Sequence, residues 1–203
     1  MAKKRIISPT VEKRLKGELP PNQKFIKAPI VYDIVSDIPD WDMEKYRFRV
    51  WNEVENPIEL TYGELLKGFA PVELIADFHC VTKWSVPQTV WEGIQTKEVM
   101  ERVKPTPKAK WVKVHCLEGY TTVFPAEYLF EEDTILAYKF MGYPLPKRHG
   151  YPLRLVVPQL YAWKSAKYVW GLELLGHYEE GFWEKRGYHP IGDPWKEERL
   201  KGD

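Results

Sequence analysis

Short apolar runs with a two-residue period, punctuated by glycine and proline, set the strongest limit on what this chain can fold into. From Trp111 to Cys116, Val112, Val114 and Cys116 fall on one side of an extended segment, and Trp111, Lys113 and His115 fall on the other. Tyr46, Phe48 and Val50 alternate in the same way with Lys45, Arg47 and Arg49. Further strands are expected over 58–60, 72–78, 90–94, 121–124, 134–140, 153–157 and 168–175. Helical signals are few and brief. Thr61 with Glu64 is a capping box, Thr96 is expected to cap a helix that Pro105 stops, and Pro125 opens a short helix. Strands and helices do not alternate regularly, which predicts a mixed α+β domain rather than a doubly wound sheet. Neither a GxGxxG nor a GxxxxGK[ST] motif occurs, so dinucleotide and P-loop readings have no support.

The 203 residues suit one sizeable domain. Residues 1–24, polar and carrying Lys3-Lys4-Arg5 and Pro20-Pro21, are expected to form a solvated arm, and residues 25–203 the domain, with 176–203 as an aromatic tail lying over it. The run from Phe25 to Val31 fits either the domain surface or the edge of a cleft. With 30 basic against 29 acidic residues, no global charge calls for nucleic acid or a membrane surface, and any anion site must be local. Nine tryptophans point to a well-filled core or an aromatic-walled cleft. No run is long enough for a membrane span or a secretory signal, so the cytoplasm is expected. Abundant Lys, Glu and Pro suggest a heat-adapted, thermophile source.

Two stretches carry residues suited to chemistry. The first, Asp77 to Ser85, delivers Cys80 to the end of an apolar strand beside His79, Lys83 and Trp84. A cysteine there is either a small buried hydrophobe or a soft metal ligand. The second runs from Tyr143 to Lys167. Its His149, Arg154, Lys164, Ser165 and Lys167 are donors suited to a phosphate; equally, the lysines fit a solvated strand edge and Arg154 a carboxylate.

Taken in order, His79-Cys80-Val81-Thr82-Lys83-Trp84-Ser85, Trp91-Glu92-Gly93-Ile94, Gly142-Tyr143-Pro144-Leu145, His149-Gly150, Arg154 to Pro158 and Lys164-Ser165-Ala166-Lys167 resemble the sulfite oxidase family of molybdopterin-dependent oxidoreductases. The resemblance spans roughly residues 41–175 and extends to the small prokaryotic members, a branch that includes catalytic subunits of methionine sulfoxide reductases. It implies a barrel-like mixed-sheet molybdopterin-binding fold with short helices, and one molybdenum held by a pyranopterin dithiolene and by Cys80. It places His149 and Arg154 at the pterin or phosphate, and Ser165, Ala166 and Lys167 at the phosphate end. His79 and Lys164 are candidate cofactor contacts beside them. Cys116 stands where a relative has a threonine near the pterin, so it is either a cofactor contact or a packing residue beside Val112 and Val114.

The implied chemistry is oxygen-atom transfer to or from a small sulfur or nitrogen oxo compound, with a two-electron change at the metal. Sulfite oxidases carry an arginine pair shortly after the ligand cysteine, whereas this chain has Val81, Thr82, Lys83, Trp84 and Ser85. Lys83 is the one candidate for a substrate charge, and Trp84, Trp91 and Trp163 are candidate walls for a less polar substrate such as a sulfoxide. No CxxCH haem motif occurs, so a separate electron carrier protein is the expected partner. A non-catalytic module gripping nucleic acid or sugar with its aromatics and basic loop is the rival reading.

Overall fold

The computed structural model describes residues 3–203. Met1 and Ala2, the start of the expected arm, lie outside the described residues. The rest of the arm's first half is built onto the domain, although most of its side chains stay exposed. Lys4–Ile7 form strand β1, Ser8 caps a short helix α1 (Pro9–Leu15) through its side chain, and Pro9 takes the first-turn position where a missing N–H costs nothing. β1 pairs in parallel with β5 (Pro71–His79), from Lys4↔Val72 to Ile7↔Ile75.

In chain order there follow β2 (Lys24–Phe25), β3 (Arg47–Asn52), β4 (Ile58–Thr61) and helix α2 (Tyr62–Gly68). After β5 come β6 (Trp84–Gln95), α3 (Thr96–Val103), β7 (Trp111–Cys116), β8 (Thr121–Pro125) and β9 (Ile135–Phe140). The series ends with β10 (Tyr143–Pro144), β11 (Arg154–Val156) and β12 (Val169–Leu175). The capping box of α2 forms as expected, Thr61 accepting from the Glu64 amide while Glu64 accepts from that of Thr61. At α3 the capping position is Gln95, and the Thr96 hydroxyl instead donates to the carbonyls of Leu129 and Thr134, because burial gives it partners across the core.

The strands make two open sheets, without the barrel-like closure expected. One has the order β1-β5-β6-β9-β10, with β11 also on β9 and β2 on β6; the other has the order β4-β3-β12-β7-β8. The main core lies where they face each other. Phe48, Val50, Val112, Val114, Leu172 and Leu174 of the second sheet pack with Ile94, Leu136 and Leu155 of the first and with Val99, Met100 and Val103 of α3. Each of these side chains is almost fully buried, worth ~1.5–3 kcal/mol apiece against exposure. Gly93, at a bulge of β6, is required by contact: a Cβ there would stand 2.3 Å from the Leu136 carbonyl oxygen.

The C-terminal segment closes the molecule. Two 3₁₀ turns, Glu184–Arg186 and Pro194–Lys196, lie along it, and Arg199 fixes its end through hydrogen bonds to the carbonyls of Val81 and Pro21.

Candidate active site

The hairpin joining β5 to β6 builds the site. The amide of Cys80 donates to the Trp84 carbonyl at 2.8 Å, the amide of Lys83 donates to the Cys80 carbonyl at 3.1 Å, and Lys83 takes a left-handed conformation with φ 71°. This tight turn fixes the cysteine. Gln23, just before strand β2, donates to the Cys80 carbonyl at 3.0 Å and accepts from Ser85 at 3.1 Å.

Cys80 opens onto a cavity of about 400 Å³, within the ~300–1,000 Å³ of small-molecule and cofactor sites. Around it stand Phe78, Thr82, Trp84, Ala162, Trp163, Trp183 and Tyr188. Cys80 is 6% exposed, and burial pushes its thiol pKa up, opposed chiefly by the Thr82 hydroxyl 3.2 Å from Sγ. Tyr188 meets Trp163 edge-on at 5.3 Å and Trp183 at 5.0 Å. Burial and the nearby Cys80 raise the Tyr188 phenol pKa, which keeps it protonated at neutral pH.

A cluster of cations forms one end of the cavity. Arg154 is buried, lies 5.2 Å over Phe78 and 5.3 Å over Trp91, and donates to the His149 carbonyl at 3.0 Å. Its Nε is buried with no partner among the described residues. Burial pulls the guanidinium pKa down to about 10, which leaves it charged. Lys167 pairs with Asp33 and donates to the Tyr32 carbonyl at 2.7 Å. His149 lines the same end, its pKa lowered by burial and then by Arg154 and Lys167. Glu118, also on the wall, has a buried Oε2 without a partner, and burial pushes its pKa up to about 7.

The structure therefore brings Cys80, His149, Arg154, Ser165, Ala166 and Lys167 to one cavity. Four expected site residues lie off its wall. Lys83 is exposed, because its place in the hairpin turn sends the side chain to solvent. His79 is buried behind the turn, its Nδ1 2.8 Å from the Ser85 hydroxyl and its pKa lowered by burial to about 4. Cys116 packs in the main core with Val112 and Val114, as the alternation of β7 dictates. Lys164 is fully buried, and its ammonium is enclosed by Glu184 and the carbonyls of Val123 and Pro190 rather than turned to the cavity. Trp84 and Trp163 wall the cavity, whereas Trp91 lies beneath Arg154. Thr82, Asp33, Glu118 and Tyr188 were not read from the sequence as site residues. Thr82 lies inside the quoted His79 to Ser85 motif without a role given to it, whereas Asp33, Glu118 and Tyr188 sit on loops without periodicity, and only folding brings them to the wall. The undetermined run up to Val31 proves to edge the cleft, through Pro29, Ile30 and Val31.

Among the described residues no group of three or more His, Cys, Asp or Glu is arranged to hold a metal. A metal at Cys80 must therefore take most of its ligands from a cofactor. The site fits such a group: a soft sulfur, and in the same cavity a buried guanidinium with an open donor beside an ammonium, the chemistry that takes phosphate.

A family model described as an oxidoreductase molybdopterin-binding domain matches residues 35–183. The chain belongs to this family of molybdopterin-binding oxidoreductases, the sulfite oxidase type, and is an enzyme of the molybdenum cofactor. It is 39% identical over 189 residues to an uncharacterized oxidoreductase, YuiH, of Bacillus subtilis, covering 92% of this chain and 94% of that one. It is 33% identical over 156 residues to the protein-methionine-sulfoxide reductase catalytic subunit MsrP of Xanthomonas axonopodis, and spans about half (48%) of that protein's length. Among solved structures, the sulfane dehydrogenase SoxCD of Paracoccus pantotrophus superposes with a TM-score of 0.63 at 22% identity, over 75% of this chain and 43% of that one, which supports the fold. No helix among the described residues is long and apolar enough to cross a membrane.

Proposed function

We propose that Cys80 supplies the protein ligand to molybdenum, and that the enzyme removes the oxygen of a small, uncharged sulfoxide-type compound using electrons from a separate carrier protein. The overall change is sulfoxide plus two electrons and two protons to thioether plus water. When bound, the molybdenum cofactor supplies the two-electron redox centre that accepts or gives up an oxygen atom.

The polarity of the cavity carries this reading. The cations Arg154 and Lys167, with His149, cluster in the same cavity and suit the cofactor's phosphate. The walls near Cys80 are Trp84, Trp163, Trp183 and Tyr188, and the nearby Arg199 is committed to the Val81 and Pro21 carbonyls. A sulfite dianion would be desolvated there without a guanidinium to receive it, whereas a sulfoxide presents one polar oxygen and apolar arms to aromatic rings. The Tyr188 hydroxyl makes no protein hydrogen bond among the described residues, and it holds a proton that it can deliver to the departing oxygen. Ser165 accepts from the Val157 amide at 3.0 Å and so keeps the loop through Lys167 in place at the phosphate end. Two free cysteines suit a reducing compartment, which supports the cytoplasm.

The test is a turnover screen of purified, molybdenum-loaded protein with a reduced viologen dye, against dimethyl sulfoxide, a methionine sulfoxide, an N-oxide and, with an oxidised dye, sulfite. Sulfoxide turnover well above sulfite turnover is expected. Sulfite oxidation without sulfoxide reduction would overturn the substrate assignment, and a fully loaded protein inert to all of them would overturn the oxygen-transfer reading.

A further inference from the structure

Lys164 and Glu184 are both fully buried, a costly arrangement for an ion pair unless it fixes something that apolar packing would leave loose. Lys164 comes from the loop before β12 and Glu184 from the C-terminal segment. The ammonium of Lys164 donates to three oxygens: a Glu184 carboxylate oxygen, the Val123 carbonyl of β8, and the Pro190 carbonyl at 2.8 Å. Two of these belong to the C-terminal segment and bracket Tyr188; the third belongs to the sheet. The same carboxylate oxygen of Glu184 accepts from the Trp163 indole N–H at 3.1 Å and the Thr122 hydroxyl at 3.0 Å.

The backbone shows how closely the segment is seated. A Cβ on Gly181 would stand 2.5 Å from Glu184 and 2.7 Å from the Thr121 carbonyl, and one on Gly192 would stand 2.7 Å from the Trp163 ring. The Phe182 amide donates to Thr121 at 2.8 Å, and the Tyr161 amide to Gly192 at 2.8 Å. Trp183 and Tyr188, the two cavity residues of the segment, lie inside these attachments.

We propose that Lys164 and Glu184 are a positioning pair: they lock residues 181–192 against the domain so that Trp183 and Tyr188 stand as the wall facing Cys80, and thereby govern how substrate is held. The pair acts through Trp183 and Tyr188 and touches neither substrate nor cofactor. The inference rests on the reading of this cavity as the active site.

Three variants test it. Glu184→Gln keeps an acceptor oxygen but strips the charge opposite Lys164, Lys164→Met removes the ammonium, and Thr122→Val removes one hydrogen bond to Glu184 with little change of shape. Because the first two risk misfolding, Thr122→Val is the variant that keeps the test open, with circular dichroism as the check on fold. In cofactor-free protein, alkylation of Cys80 by a bulky maleimide and hydrogen exchange of residues 181–192 report the wall without any turnover. Both are expected to speed up, Cys80 alkylation by about fivefold or more in Thr122→Val, as a locally opened segment requires. In loaded protein, a folded Glu184→Gln is expected to raise KM for the sulfoxide about tenfold and to lower kcat as well, because the Tyr188 proton moves with the wall, while molybdenum content stays within about twofold.

Unchanged alkylation and exchange in a folded Thr122→Val would overturn the proposal. So would loss of molybdenum from Lys164→Met with the wall unmoved, which would return Lys164 to the cofactor. If the wall loosens as expected but wild-type enzyme turns over no sulfoxide, the substrate reading fails and the positioning pair stands.

Discussion

The hydroxyl of Thr82 lies 3.2 Å from the sulfur of Cys80, at the turn that presents this cysteine to the cavity. Burial holds the thiol pKa up, and the hydroxyl favours the thiolate that a metal needs. In Thr82→Val, the pH midpoint for iodoacetamide alkylation of Cys80 in cofactor-free protein is expected to rise. An unmoved midpoint would show that the hydroxyl does not act on the sulfur.

Arg154 is buried without a carboxylate partner among the described residues, and its Nε is unsatisfied among them. Without a bound anion it costs stability, offset in part by its stacking on Phe78 and Trp91. Arg154→Met is therefore expected to leave cofactor-free protein at least as stable in urea, to within ~1 kcal/mol, while loss of the guanidinium fork lowers molybdenum retention about tenfold or more. Arg154→Lys keeps the charge but not the fork, and should retain molybdenum poorly as well. Retention at wild-type level in both would remove Arg154 from the cofactor site.

Two buried groups give opposite pH signatures in cofactor-free protein. The native state takes up a proton on His79 only near pH 4, against 6.5 in the unfolded chain, so stability from this group is complete above 6.5 and lost as pH falls toward 4. Glu118 keeps its proton up to about 7 in the native state, against 4.5 when unfolded, so its contribution is complete below 4.5 and lost as pH rises toward 7. Relative to wild type, Glu118→Gln is expected to gain up to ~3 kcal/mol between those pH values, and His79→Phe to lose the acid-side decline. Stability measured by urea unfolding at pH 4.5, 5.5, 6.5 and 7.5 checks both. A Glu118→Gln difference that stays flat would contradict the environment assigned to that carboxyl.

The N-terminal strand depends on Ser8, whose hydroxyl donates to Asp133 at 2.6 Å and accepts from the Thr10 amide at 3.2 Å, all in a buried setting. Ser8→Ala is expected to cost ~2 kcal/mol in urea unfolding, because a helix cap and the partner of a buried carboxylate go together. A cost below ~0.5 kcal/mol would mean the N-terminal pairing contributes little.

What could be read from the sequence followed the range of the forces involved. The capping box of α2 and the alternation of β7 are local, and both appear where the residues put them. Cys80 and the Arg154 to Lys167 segment stood out in the sequence because a soft ligand and a set of anion donors restrict residue type in short stretches, and residues of both come to one cavity. β1 was not, since its four residues become a strand only through parallel pairing with β5 across a long stretch of chain. Lys164 was assigned to a phosphate because a lysine's charge does not say whether its partner is a ligand or a carboxylate; the partner, Glu184, is held by tertiary packing. Trp84 and Trp163 of the cavity wall were read from the sequence; Trp183 and Tyr188 were not, since they come to the cavity only when the C-terminal segment folds back over the domain.

The central claim is that Cys80 is a ligand to molybdenum. Molybdenum K-edge X-ray absorption on loaded wild-type protein and on Cys80→Ser counts the sulfur atoms bound to the metal directly. The expected result is one sulfur fewer in Cys80→Ser, with sulfoxide turnover abolished and the fold intact by circular dichroism. An unchanged sulfur count with full turnover would contradict the assignment.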